Sequence, residues 1–288
     1  KSIFCLNLNF YNDKEGITDG VCPQELDYRD AKAVCDELCI PLYRVDFIKE
    51  YWDDVFKYFL SVLEKGRTPN PDIMCNKYIK FDLFKKEAKK LGADKIATGH
   101  YARIEGNRLL RGVDNNKDQT YFLSQVSSEQ LKDVLFPIGG LTKAEVRKIA
   151  EENNIPVAKK KDSTGICFIG ERHYQEFVSN YLKGKKGDII DVETLKKVGE
   201  HNGLMNYTIG QRRNVGLSGD EKRHYVCGKD SKKNILYVAY GEDSKYLLSD
   251  EAIIEDMNFI SDKHPTFATA KFRYRSEDVP VQIEYIDD

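Results

Sequence analysis

Over about the first 160 residues, short apolar runs alternate with amphipathic helical stretches, and few folds accept that pattern. Residues 2–8 read as a strand, residues 25–39 as a helix with Val34 and Leu38 on one face, and residues 42–47 as a second strand. Residues 51–63 follow as a helix with Val55, Phe59, Val62 and Leu63 at helical spacing. After the Pro69/Pro71 loop the spacing predicts a helix over 78–91, ended by Gly92, and a short apolar strand over 95–98. Such βαβ alternation predicts a parallel sheet with helices on both faces.

Ligands of these sheets sit beyond the carboxyl ends of the strands, which is where Gly99-His100-Tyr101 falls. Residues 102–112, centred on Glu105-Gly106-Asn107, read as a hairpin. Thr142-Lys143-Ala144-Glu145 is a capping box opening a helix to about Asn153, and Pro156 blocks its continuation. Past Gly170 the texture changes. One helix is expected over 174–182, followed by the basic loops Lys183-Gly184-Lys185-Lys186 and Gly210-Gln211-Arg212-Arg213. Strands are expected over 225–228, 235–239, 267–274 and 281–285. The expected division is a catalytic α/β domain over 1–168, a small mixed domain over 169–240 and a β domain over 241–288.

Composition narrows the function. The 288 residues are 41% hydrophobic and 32% charged, with no apolar run long enough to span a bilayer. Seven cysteines without a Cys-x-x-Cys pair fit a reducing compartment and argue against structural zinc or a disulfide scaffold, so no metal site is expected. A net charge of −2 offers no global attraction to nucleic acid, so RNA binding would rest on local basic surface. The chain opens without Met inside a strand-like run, so a native N-terminus is expected upstream.

Two cysteines stand in polar loops. Cys75 follows Gly66-Arg67-Thr68-Pro69-Asn70-Pro71-Asp72-Ile73-Met74 and precedes Asn76-Lys77, and Cys167 lies in Asp162-Ser163-Thr164-Gly165-Ile166-Cys167-Phe168-Ile169-Gly170. A thiol near a helix start or a lysine is held as the nucleophilic thiolate, whereas a buried one is a small hydrophobe. The residues around Cys75 and Cys167 leave both readings open; Cys5, Cys22, Cys35, Cys39 and Cys227 are expected to be buried and inert. Asp72, three residues before Cys75, either moves protons or caps the helix. His100 is a satisfied histidine or a strand-end functional group. Lys117-Asp118-Gln119, ahead of an aromatic strand over 120–123, is an exposed loop or a set of phosphate and base contacts.

The two cysteine loops closely resemble those of the tRNA-specific 2-thiouridylases. The resemblance extends through Ala97-Thr98-Gly99-His100-Tyr101-Ala102-Arg103, Arg111 to Leu123, Gly199 to Arg212, and Lys271-Phe272-Arg273-Tyr274-Arg275. It implies an N-terminal α/β domain of the adenine nucleotide alpha hydrolase-like (PP-loop) class, a small mixed central domain and a C-terminal β-barrel. It implies that ATP, with Mg2+, adenylates the C2 oxygen of a tRNA wobble uridine. A persulfide on Cys167, loaded by a sulfur-relay protein or a cysteine desulfurase, then delivers sulfur. Cys75 releases that sulfur through a transient disulfide with Cys167, and Asp72 acts as acid or base. By the same resemblance Asn70, Pro71 and Asp72 surround the target base and Gly99 touches ATP. His100, Lys117, Asp118, Gln119, Arg273 and Tyr274 match tRNA contacts. The family's Ser-Gly-Gly-x-Asp-Ser phosphate loop does not occur among these residues and is expected to precede them. The implied location is the cytoplasm, with the mitochondrial matrix as alternative. Two other functions remain: a different PP-loop adenylating enzyme, and a catalytically degenerate tRNA-binding homologue.

Overall fold

Strand β1 (Cys5–Asn9) runs parallel to β2 (Leu42–Asp46), with Cys5 opposite Leu42 and Asn9 opposite Asp46. The helix Pro23–Glu37 makes the crossover that a parallel pair requires, since a tight turn can only reverse the chain. The computed structural model describes residues 5–9, 23–161, 174–217 and 223–286. Residues 2–4 of the expected first strand, Cys22, and the whole loop from Asp162 to Gly170 with Cys167 lie outside them. The first helix stops two residues before Cys39, which sits exposed at φ 53° in the turn that follows. Cys39 is therefore not the buried residue that helical spacing predicts.

The described residues within 1–54, 72–163 and 256–288 make one compact unit, and those within 55–71 and 164–255 a second. In the first unit, β3 (Ile96–Ala97) and β6 (Val134–Leu135) pair in parallel, so both parallel pairs fit the expected α/β class. Between them in sequence, β4 (Ala102–Glu105) and β5 (Arg108–Arg111) form the expected hairpin. Gly106 takes φ +60° at its tip, a conformation glycine adopts without penalty. Phe81, Ala88, Ile96, Ala102, Leu123, Val126, Leu131 and Val134 form the core. Each fully buried large side chain there stabilises the unit by about 1.5–3 kcal/mol.

Three local expectations need correction. The helix expected from residue 78 begins at Pro71, because proline suits a first helical position. Its centre, Cys75–Leu83, is a π-helix, and another interrupts the run 48–64 at Trp52–Phe56. Thr120–Leu123 is a 3-10 turn rather than a strand. The capping box holds as expected: Thr142 N donates to Glu145 Oε2 at 2.7 Å and Glu145 N to Thr142 Oγ1 at 3.3 Å, opening the helix Lys143–Glu152.

The second unit carries a four-stranded sheet of β7 (Gly187–Asp191), β8 (Lys197–His201), β9 (His224–Asp230) and β10 (Ile235–Tyr240), in the order β8-β7-β10-β9. Its buried side includes Ile189, Leu204, Tyr207, Val226, Leu236 and Val238. Elsewhere in this unit Phe56 packs edge-on to Phe177 and Tyr181, at 6.0 and 4.8 Å between ring centroids. The chain then returns to the first unit, where β11 (Phe267–Ala270) pairs with β12 (Val279–Gln282). The strand expected over 267–274 ends at Ala270, and among the described residues no closed C-terminal barrel forms. No helix among the described residues is long and apolar enough to cross a membrane.

Candidate active site

Cys75 opens the π-helical stretch and is 1% exposed, beside an equally buried Asn76. Such stretches cluster at functional sites because they re-aim side chains at the expense of regular bonding. Burial raises the Cys75 pKa, opposed by the Lys80 charge and reinforced by Asp72. The resting thiol is therefore held protonated, the buried form of the two that the sequence left open. Lys77, two residues on, donates to Gln125 Oε1 at 3.1 Å, and Lys80 is the cation whose charge opposes the rise. Regular helical spacing puts residues 78 and 79 above 75. The i to i+5 bonding of a π-helix brings residue 80 there instead.

Asn76 ties this helix to the next element by donating Nδ2 to the Phe122 carbonyl at 2.9 Å, while its Oδ1 stays buried without a partner. Phe122 belongs to the 3-10 turn that Asp118 organises. The buried Asp118 carboxylate accepts from Gly112 N at 2.9 Å and from Thr120 Oγ1 at 2.8 Å. Gln119 pairs reciprocally with Tyr101, donating its backbone N to Tyr101 O at 2.9 Å and accepting Tyr101 N on Oε1 at 3.0 Å. In this structure the Asp118 carboxylate and the Gln119 N–H and Oε1 are engaged in holding the turn.

The C-terminal segment lodges on the same turn. The Tyr274 ring lies 4.7 Å from Phe122, Arg275 Nε donates to Asn116 O at 3.2 Å, and Arg111 Nη2 donates to Asp278 Oδ1 at 2.7 Å. Lys117, Asp118, Gln119, Arg273 and Tyr274, far apart in sequence, thus share one neighbourhood of the first unit with the Cys75 helix. Gly99 follows β3 at its carboxyl end, exposed and with no atom within 4 Å of where a Cβ would stand. A nucleotide's approach to such a strand end needs that open backbone. Asn70 and Pro71 fall in the second unit, and Asp72 follows them in the first turn of the helix. Among the described residues no group of three His, Cys, Asp or Glu side chains could hold a metal ion.

His100 is 8% exposed, its Nδ1 2.9 Å from Thr98 Oγ1 and its ring against Phe81 and Phe136. Burial, helped by the Lys80 charge, lowers its pKa from 6.5 to about 3. Above pH 6.5 the ring is neutral both folded and unfolded. Below that only the unfolded chain binds the proton, so stability falls as pH drops from 6.5 towards 3, by about 1.4 kcal/mol per unit. His100→Gln is expected to remove that slope from urea-unfolding free energies measured between pH 6.5 and 4.5. An unchanged slope would mean that the folded ring takes up the proton.

With this geometry in view, residues 1–171 match the family model described as tRNA methyl transferase HUP domain, and residues 175–240 the one described as tRNA methyl transferase PRC-barrel domain. The class is thus a HUP-type α/β domain joined to a PRC-barrel domain. The chain is 52% identical over 285 residues to a tRNA-specific 2-thiouridylase MnmA of Mycoplasmopsis synoviae, covering 98% of this chain and 76% of that protein. Against the protein of the same name from Staphylococcus carnosus it is 53% identical over 278 residues, covering 94% and 75%. This chain belongs to the tRNA-specific 2-thiouridylase family.

Proposed function

We propose that this protein is a tRNA-uridine 2-sulfurtransferase that replaces the C2 oxygen of a tRNA wobble uridine with sulfur, using ATP. The observation that carries this reading is one neighbourhood in the first unit. There Asn76, next to Cys75, is bonded to the turn bearing Lys117, Asp118 and Gln119, and Tyr274 packs on that turn. A thiol set among tRNA-facing groups is what sulfur delivery to a base requires. ATP, accompanied by Mg2+, supplies the adenylyl group that turns the C2 oxygen into a leaving group, and Gly99 is the residue here that fits it.

The residues then divide the chemistry. Cys167 carries a persulfide received from a sulfur-relay protein or a cysteine desulfurase. Its terminal sulfur bonds to C2 as AMP leaves, which joins tRNA to Cys167 through an S–S bond. The Cys75 thiol gives up its proton, with Asp72 as the nearby acceptor, and attacks Cys167 Sγ. The S–S bond to the base breaks, the thiocarbonyl departs with its electron pair, and a Cys75–Cys167 disulfide remains for a thiol reductant to open. Because Cys75 rests buried and protonated, binding of the tRNA must uncover it before that attack. Asn70 and Pro71 flank the base, and His100, Lys117, Asp118, Gln119, Arg273 and Tyr274 form or support the tRNA surface. The family-model descriptions name methyl transfer and the relatives' names sulfur transfer, and the two cysteine loops favour sulfur, since sulfur insertion needs one thiol to carry the sulfur and another to release it. The reaction is assigned to the cytoplasm, where thiols stay reduced.

Full-length protein incubated with unmodified tRNA, ATP, Mg2+ and a persulfide donor, followed by nucleoside mass spectrometry, tests this directly. ATP-dependent 2-thiouridine is the expected product. A methylated uridine, or bound but unchanged tRNA, would overturn the reading. Arg273→Ala is expected to weaken tRNA binding and to reduce the salt dependence by about one phosphate contact, read as the slope of log affinity against log salt. An unaltered slope would remove Arg273 from the contact surface.

A further inference from the structure

We infer that Lys229, on β9 of the second unit, and Thr208, beside the turn bonded to β9, are positioning residues that set the Gly66–Asn70 strap and thereby hold Asn70 for the target base. This rests on the reading of Asn70, Pro71 and Asp72 as the base-flanking segment, and goes beyond it by saying what fixes that segment. The strap begins where the helix Lys57–Glu64 ends: Gly66 takes φ +71°, with its N–H bonded to Leu63 O at 2.8 Å and that of Arg67 to Val62 O at 3.1 Å. The Gly66 carbonyl then turns towards β9 and accepts from Lys229 Nζ at 2.8 Å. A Cβ at Gly66 would stand 2.9 Å from Ser231 Oγ, so the strap lies hard against the turn between β9 and β10.

Two residues further on, Thr68 Oγ1 donates to Thr208 Oγ1 at 3.2 Å. Thr208 is itself held at the turn bonded to β9. Its N–H donates to Gln211 Oε1 at 2.9 Å, and the turn it opens is stapled to β9 by Gly210 N to Val226 O at 2.6 Å and Val226 N to Gln211 O at 2.9 Å. Both anchors therefore come from β9 and the turn bonded to it, within residues 175–240 that match the PRC-barrel model, while the strap lies within 1–171 that match the HUP model. Burial also pulls the Lys229 pKa down to about 8, a cost the fold carries for a contact to a single carbonyl. Strap and sheet meet at a built clamp.

A clamp of this kind acts on the geometry of the reacting base rather than on capture of the whole tRNA. Misplacing a reacting group by about 1 Å lowers rate by up to about a hundredfold while binding persists. Single-turnover thiolation with full-length Lys229→Met and Thr208→Val is therefore expected to show a rate at least about tenfold lower than wild type. tRNA affinity and thermal midpoint should stay near wild type, and Lys229→Arg should recover most of the rate. Asn70→Ala, assayed alongside, separates the two levels of the argument. If Asn70→Ala slows thiolation and neither clamp variant does, the clamp is overturned while the base-flanking reading stands. If Asn70→Ala has no effect, the base-flanking reading fails first and the clamp with it. A loss of rate that tracks a lowered thermal midpoint, without rescue by Lys229→Arg, also overturns the positioning role.

Discussion

Cys167→Ser is expected to abolish 2-thiouridine formation, and Cys75→Ser to stop the reaction one bond later. Without the Cys167 thiol there is no persulfide carrier, so neither product nor covalent adduct appears even when adenylation and tRNA binding persist. With Cys167 intact and Cys75 replaced, sulfur reaches C2 but the S–S bond to Cys167 has no thiol to break it. A tRNA–protein conjugate should then accumulate, stable to denaturant and released by added thiol reductant, with 2-thiouridine in the released tRNA. Gel mobility with and without reductant, followed by nucleoside analysis, reads both arms. Cys75→Ser buries a hydroxyl where the thiol is 1% exposed, so a loss of about 1–3 kcal/mol of stability is expected and leaves the fold assayable. A conjugate formed by the Cys167→Ser protein and none by the Cys75→Ser protein would reverse the roles of the two cysteines.

Gly139→Ala is expected to be the most damaging single-methyl change in the first unit. A Cβ there would stand 1.7 Å from the Ala102 carbonyl oxygen and 2.6 Å from its carbon, and backbone cannot yield as a side-chain tip can. Relief requires β4 to shift, and β4 directly follows the Tyr101 backbone that Gln119 grips. A loss of more than about 4 kcal/mol is expected, beyond the usual range for point substitutions. For a chain of this size that lowers the thermal midpoint by roughly 10 °C or more. The neighbouring Gly140 has nothing within 4 Å of its Cβ position, so Gly140→Ala serves as the control with little change. Similar melting curves for the two variants would mean that β4 and the Gly139 turn do not approach as described.

Much of the local structure was legible before any coordinates. The hairpin at Glu105-Gly106-Asn107 and the capping box at Thr142 and Glu145 hold as expected, because each is satisfied by atoms only a few residues apart. The β1–β2 pair follows from the alternation of strand and helix, whereas β6, which pairs with β3, is a two-residue strand that the sequence pattern does not mark. Thr120–Leu123 went wrong because its aromatic residues resemble a strand. Asp118, six residues from Gly112 and two from Thr120, bends that run into a 3-10 turn. Cys39 went wrong because the helix ended before the spacing did.

Two polar cysteine loops, an α/β beginning and a family resemblance could all be read from residue order, since each depends on neighbours along the chain. Only the tertiary structure decided that Cys75 rests protonated, that Lys80 is the charge beside it, and that His100 is a sealed neutral ring. It alone brought Tyr274 onto Phe122 and Lys229 onto the Gly66 carbonyl. The physical reason is common to all of these. Desolvation and long-range hydrogen bonds depend on what covers a group, and residues tens to hundreds of positions away in sequence provide that cover.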